Sequence, residues 1–229
     1  MSSFPLVLMY HSVESYTEDP YQVTVSPRRF ERQMRWLRRR GLRGVSVREL
    51  LADPRPGLVG LTFDDGYADF VHEVLPVLSS FDFTATVYVV AGSLGGHNSW
   101  DTPGPRKNLM TAADIAAVAA AGVEIGSHGF AHVRMPEAAD LDVQTAHSRE
   151  ILADLSGQQV TGFCYPYGAV GEREVEAVRA AGYDYACAVQ PTPVIGRHAL
   201  PRTFIGDRDA THRLYAKLAR HRLTVGRAA

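Results

Sequence analysis

Cysteine is nearly missing from the chain. Cys164 and Cys187 are the two among 229 residues, too few for a disulfide framework, so two buried thiols are expected. Charge of either sign is also missing in excess: Lys and Arg total 24 against 25 Asp and Glu, a net charge of -1. That excludes the broad basic field of a nucleic-acid-binding protein. No apolar run approaches the ~18 residues of a membrane span. The opening residues carry no basic cluster, and the run 6–9 is too short for a signal peptide, so a cytoplasmic location is expected, or a secreted protein whose leader has been removed. There is no internal repeat and no Ser/Gly linker. With 45% hydrophobic and 21% charged residues, the composition excludes disorder, coiled coil and collagen and suits one domain over residues 1–229.

Short apolar runs alternate with helical patterns from end to end. Strands are expected at 5–10, 58–63, 84–90, 123–127, 160–164, 185–189 and 200–205. Ser26-Pro27 opens a helix that carries Phe30, Met34 and Leu37 on one face and stops at Gly41. Further helices are expected at 71–80, shortened or kinked by Pro76, from the Thr111–Asp114 capping box to Gly122, and at 141–155, 172–181 and 210–220. Residues 91–110, with four Gly and two Pro, read as a long functional loop. Such alternation implies a parallel sheet covered by helices. No glycine-rich fingerprint follows the first strand, so a barrel is expected before an open doubly wound sheet.

The chemistry-bearing residues follow strands. Tyr10-His11 follows the first, Asp64-Asp65-Gly66 follows 58–63, His128 and His132 follow 123–127, and Tyr165-Pro166-Tyr167-Gly168 follows 160–164. In a parallel β/α protein these strand ends share one face, where loops build the active site. Two adjacent carboxylates ionise cheaply only beside a cation or donors, and Gly66 frees the chain to turn there. Two His four residues apart share a face if 128–132 is a helical turn. Two imidazoles and one carboxylate leave positions open on a divalent ion, as in a catalytic rather than a structural site. His72, His97, His147, His212 and His221 are expected to be mostly solvated surface.

Leu61-Thr-Phe-Asp-Asp-Gly66, Gly126-Ser-His-Gly-Phe-Ala-His132 and Phe163-Cys-Tyr-Pro-Tyr-Gly168, in this order, resemble the polysaccharide deacetylases of carbohydrate esterase family 4, the NodB homology domain. The resemblance runs from Val7-Leu-Met-Tyr-His11 to Leu200-Pro-Arg202. It implies a distorted (β/α)7 barrel, with Asp64 as general base and Asp65, His128 and His132 on a divalent metal. Zinc is the commonest metal, with cobalt, nickel, manganese or iron as alternatives. It also implies an N-acetylated amino sugar as substrate and the Tyr167 backbone N–H as an oxyanion donor. Trp100-Asp101 in the long loop resembles the bacterial branch, and Tyr10-His11 resembles the branch acting on poly-N-acetylglucosamine. Tyr167, Pro166, Trp100 and Asp101 are the expected substrate contacts, with Tyr21, Trp100 and Tyr167 able to stack on a sugar face.

Two departures from the family pattern stand out. Cys164 occupies the place where many members carry an Arg that orients the base, and the C-terminal Leu-x-His that supplies a general acid is missing. Amide hydrolysis needs a donor for the leaving nitrogen, and imidazole chemistry suits that task near neutral pH. His11 directly follows a strand and projects into the mouth, whereas His198 sits in a loop with no strand to aim it, so His11 is the expected acid. The expected activity is metal-dependent N-deacetylation of an N-acetylglucosamine unit. The alternatives are a deacylase or amidase of the same scaffold acting on a small sugar conjugate or cyclic amide, and a silent sugar-binding domain. Neither a nucleic-acid partner nor a membrane span is expected.

Overall fold

Seven parallel strands close on themselves in the computed structural model, which describes residues 4–189, 192 and 194–224. In chain order the strands are β1 (Val7–Tyr10), β2 (Ser12–Val13), β3 (Thr24–Val25), β4 (Arg43–Val45), β5 (Leu58–Phe63), β6 (Thr86–Val89), β7 (Glu124–Ser127), β8 (Gly162–Cys164), β9 (Tyr185–Val189) and β10 (Leu200–Phe204). The helices are α1 (Pro27–Arg39), α2 (Val47–Ala52), α3 (Leu75–Ser80), α4 (Ala112–Ala120), α5 (Ser148–Ser156), α6 (Glu172–Ala180) and α7 (Thr211–Thr224). The ring runs β1-β10-β9-β8-β7-β6-β5 and is shut by β5 pairing with β1, Val7 beside Gly60 through Tyr10 beside Phe63. That closure excludes the open sheet. The ring is uneven: β7 and β8 share the single register pair Ser127–Phe163, and β4 pairs with the first half of β5 alongside the ring.

Strand parity sorts the side chains. Val7, Tyr88, Cys164, Tyr185, Cys187 and Leu200 pack together inside, while their neighbours Leu8, Val87, Phe163, Ala186 and Ala188 join the layer beneath the helices, the period of two that a strand imposes. Two large inner tyrosines are admitted by glycines opposite them. A Cβ on Gly126 would lie 2.5 Å from the Tyr88 ring, and one on Gly162 would lie 2.2 Å from the Tyr185 hydroxyl.

Both cysteines are buried and free. The Thr111–Asp114 capping box forms in both directions. The helix around Pro76 becomes a turn of π-helix, Phe70–Val74, followed by α3, because Pro76 cannot donate to the i−4 carbonyl. The short elements β2, β3, β4 and α2 escaped the sequence reading, being two to six residues long and too brief to show a period. Among the described residues no helix is long and apolar enough to cross a membrane. One histidine departs from expectation: His221 is buried, with its ring nitrogens at Thr203 Oγ1 and the Phe4 carbonyl.

Candidate active site

Parity aims the first carboxylate. Gly60, Thr62 and Asp64 alternate on one side of β5 and its extension, the side that faces the barrel axis. There Arg202, on the inner side of β10, meets Asp64 in a two-point pair, Nη1 to Oδ1 at 2.6 Å and Nη2 to Oδ2 at 2.7 Å. The same guanidinium donates to Thr62 Oγ1 at 3.1 Å, lies 3.0 Å from Cys164 Sγ, and stands 5.7 Å from the Tyr88 ring centre. Burial alone would raise the Asp64 carboxyl, yet the Arg202 charge and its hydrogen bonds outweigh it, and the group sits below the usual carboxylate range. The arginine missing at position 164 is thus replaced by one from β10. Sequence reading missed it, although an Arg two positions beyond Leu200 in a buried strand demanded an inward carboxylate partner.

Asp65 has the wrong parity to face inward, and the backbone corrects it. The residue adopts φ 73°, followed by Gly66 at φ 74°, so the chain turns one residue earlier than the glycine suggests. Left-handed backbone at an Asp is uncommon, and it recurs here at His132 (φ 49°) and Tyr167 (φ 60°), a clustering of backbone strain that marks functional sites. Residues 128–132 form no helical turn, so the two His meet by another route. His128 follows β7 on the inner parity, and Gly129 (φ 81°) with the left-handed His132 folds the loop back. Gln144 holds that loop, its Oε1 accepting from the N–H groups of Phe130 (2.9 Å) and Ala131 (3.1 Å). Gly92 lets the long loop approach, since a Cβ there would lie 2.6 Å from the Phe130 carbonyl.

The three expected ligands do converge. Asp65 Oδ1 lies 3.3 Å from His128 Nε2 and 3.1 Å from His132 Nε2, with all three residues buried. The His128 Nδ1 stands 2.8 Å from the Cys164 carbonyl, which fixes the N–H there and leaves Nε2 as a lone pair. That carboxylate oxygen then faces the His128 lone pair and the His132 Nε2, and it finds no hydrogen-bond partner in the chain. Acceptors facing acceptors suit a cation between them, so the donor set fits a divalent ion. Burial opposes charge on His128, but the carboxylates of Asp65 and Asp64 beside its ring raise it above its ordinary value. Asp65 is held well below the carboxylate range, the two imidazoles outweighing its burial.

A second set, Asp64, His128 and Cys164, is equally close. Its chemistry is poorer. Both Asp64 oxygens already accept from Arg202, a cation beside that guanidinium would be repelled, and burial pushes the Cys164 thiol well above its ordinary range, away from the thiolate a metal needs.

His11 Nε2 lies 3.8 Å from Asp64 Oδ2, its Nδ1 is buried with no partner, and its ring meets Phe204 edge-on at 6.3 Å. His198 precedes β10, at the strand end opposite the mouth, and its Nε2 stands 2.9 Å from the Tyr183 carbonyl. Trp100 stacks on the His132 ring, centroids 4.3 Å apart. Tyr167, 51% exposed, approaches His132 edge-on at 4.7 Å. Asp101 Oδ2 accepts from Tyr67 OH and Asn98 Nδ2, each at 3.1 Å. Pro166 is buried beneath this rim, opening the turn that ends in Gly168, where a Cβ would strike Val189 at 2.6 Å. His11, Asp64, Asp65, Trp100, Tyr167 and Arg202 are among the walls of one cavity of about 210 Å³.

The family description "Polysaccharide deacetylase" matches residues 52–186. YxkH of Bacillus subtilis, a polysaccharide deacetylase by name, is 28% identical over 193 residues, covering 81% of this chain and 64% of that protein. The poly-beta-1,6-N-acetyl-D-glucosamine N-deacetylase of Escherichia coli is 32% identical over 109 residues, 44% of this chain and 15% of that one. The chain therefore spans less than two thirds of the length of these relatives. A polysaccharide deacetylase from Bacillus cereus superposes with a TM-score of 0.80 at 20% identity, covering 94% of this chain and 69% of that one, a likeness of fold.

Proposed function

The chain belongs to the polysaccharide deacetylase family, and on that premise we propose that it hydrolyses the N-acetyl group of N-acetylglucosamine units in a glycan, as a metal-dependent hydrolase. The reading rests on one observation above the others: Asp65 Oδ1 faces two imidazole nitrogens beside an Asp64 pinned by Arg202. Asp65, His128 and His132 would hold the ion, most suitably zinc, whose contribution when bound is Lewis acidity toward water and an acyl carbonyl. Asp64 stays ionised beside Arg202 and takes the proton of the attacking water. His11, within reach of the same pocket, donates a proton to the departing amine nitrogen. The backbone N–H of Tyr167 would stabilise the developing oxyanion, as the family resemblance implies, while Trp100, Tyr167, Pro166 and Asp101 orient the sugar.

The test is acetate release from N-acetylglucosamine oligomers, β-1,4 and β-1,6 linked, by zinc-loaded protein. Acetate release that disappears with the metal is expected. Release of acid or ammonia from cyclic amides instead would transfer the site to the amidases of this scaffold, and tight glycan binding without turnover would make it a silent sugar-binding domain.

A further inference from the structure

The net charge of -1 conceals one strongly basic face. Eight arginines, Arg28, Arg29, Arg32, Arg35, Arg38, Arg39, Arg40 and Arg43, fall within 16 residues of the chain, on and just beyond α1. The buried row of α1 is Phe30, Gln33, Met34 and Leu37. At 100° per residue, Arg28, Arg32, Arg35 and Arg39 lie diametrically opposite that row, and all four are exposed. They form a straight convex ridge about 16 Å long. Like charges at i,i+3 and i,i+4 destabilise a helix, and the relief here is slight. Glu31 pairs with Arg35, while Arg28, Arg32 and Arg39 have no acidic partner among the described residues. Packing does not require this row, because it faces away from the barrel.

The ridge adjoins an aromatic corner. The Arg40 guanidinium stands 5.3 Å from the Trp36 ring and 5.6 Å from the Tyr215 ring on α7, and Tyr215 is 59% exposed. A convex ridge cannot enclose a small anion, but it can lie along an extended plane of negative charge. Arginine flanked by Trp and Tyr is the side-chain mixture that suits a lipid headgroup layer. Outside residues 28–43 the chain carries 16 Lys and Arg against 24 Asp and Glu, so the basic excess belongs to this stretch, unlike the general excess of nucleic-acid-binding domains.

We propose that the outer face of α1, with Tyr215 at its edge, docks the protein on an anionic lipid surface through the row Arg28, Arg32, Arg35 and Arg39. The test is sedimentation of the protein with vesicles of phosphatidylcholine alone and of phosphatidylcholine with about a third phosphatidylglycerol. Binding to the anionic vesicles alone is expected, weakened at least about tenfold between about 0.1 M and about 0.5 M salt. Replacing the four arginines with Gln, a comparable helix former, should cost about 10²–10³-fold in partition, with circular dichroism and melting temperature unchanged or improved. Equal partition to both vesicle types, or full binding by the folded fourfold variant, overturns the proposal. So does tighter, variant-sensitive binding to duplex DNA at matched phosphate concentration, which would assign the ridge to nucleic acid.

Discussion

At the scale of single residues, the proposed chemistry turns on the Asp64–Arg202 pair. A fully buried guanidinium and carboxylate survive because each satisfies the other in two-point geometry. Replacing Arg202 with Met leaves Asp64 to its burial, which favours the protonated form. The base must be ionised to act, so the acid limb of the kcat/KM profile should move to higher pH and stability should fall by about 3–5 kcal/mol. Arg202→Lys keeps the charge but not the fork and should fold, showing the same limb shift in smaller degree. An unmoved limb in the Lys variant would remove Arg202 from the account of the base. His11 and His198 part along the same line, since one flanks Asp64 and the other bonds a carbonyl at the opposite strand end. His11→Ala should lose about 10²–10⁴-fold in turnover while keeping metal, and His198→Ala should lose little. The reverse pattern would make His198 the proton donor. Asp64, Asp65, His128 and His132 were legible from residue type at strand ends. Arg202 and Gln144 were not, because nothing local ties a β10 arginine or an α5-side glutamine to motifs far away in sequence.

At the scale of elements, strands 58–63 and 185–189 were readable to the residue because both faces are buried and the runs are apolar but for Thr62. The two histidines meet without a helical turn because i,i+4 spacing has a second solution, a glycine at 129 and a left-handed His132 in the loop after the strand. The segment after Asp65 carries a titration of its own. Asp69 accepts from Ser12 Oγ (2.6 Å) and Val13 N (3.0 Å), near Glu14 and Lys107. Burial, despite those bonds, leaves it pushed up to about 6. The folded chain therefore holds a proton that the unfolded chain, at 3.8, has already released. This contribution is fully present below the unfolded value and is lost as pH rises through about 6, worth up to about 3 kcal/mol. Urea unfolding at about pH 4 and about pH 7 should show that decline, and Asp69→Asn should flatten it. An equal decline in the variant would place the titration elsewhere.

At the scale of the whole molecule, barrel closure turns sequence distance into proximity: β1, β5, β7, β8 and β10 each deliver a side chain to the region lined by His11, Asp64, His128, Tyr165 and Arg202. The sequence announced the alternation of strands and helices, and hence a common mouth, but not how the ring's register would place two competing donor sets around His128. That choice is the centre of the account. On the proposed reading Asp65, His128 and His132 hold the ion, while Asp64 and Cys164 stay within reach of Arg202. Elemental analysis of zinc-reconstituted, gel-filtered protein decides between them. His132→Ala should lose about one equivalent of metal per chain and Cys164→Ser should keep it. Metal retained in His132→Ala and lost in Cys164→Ser would contradict the account.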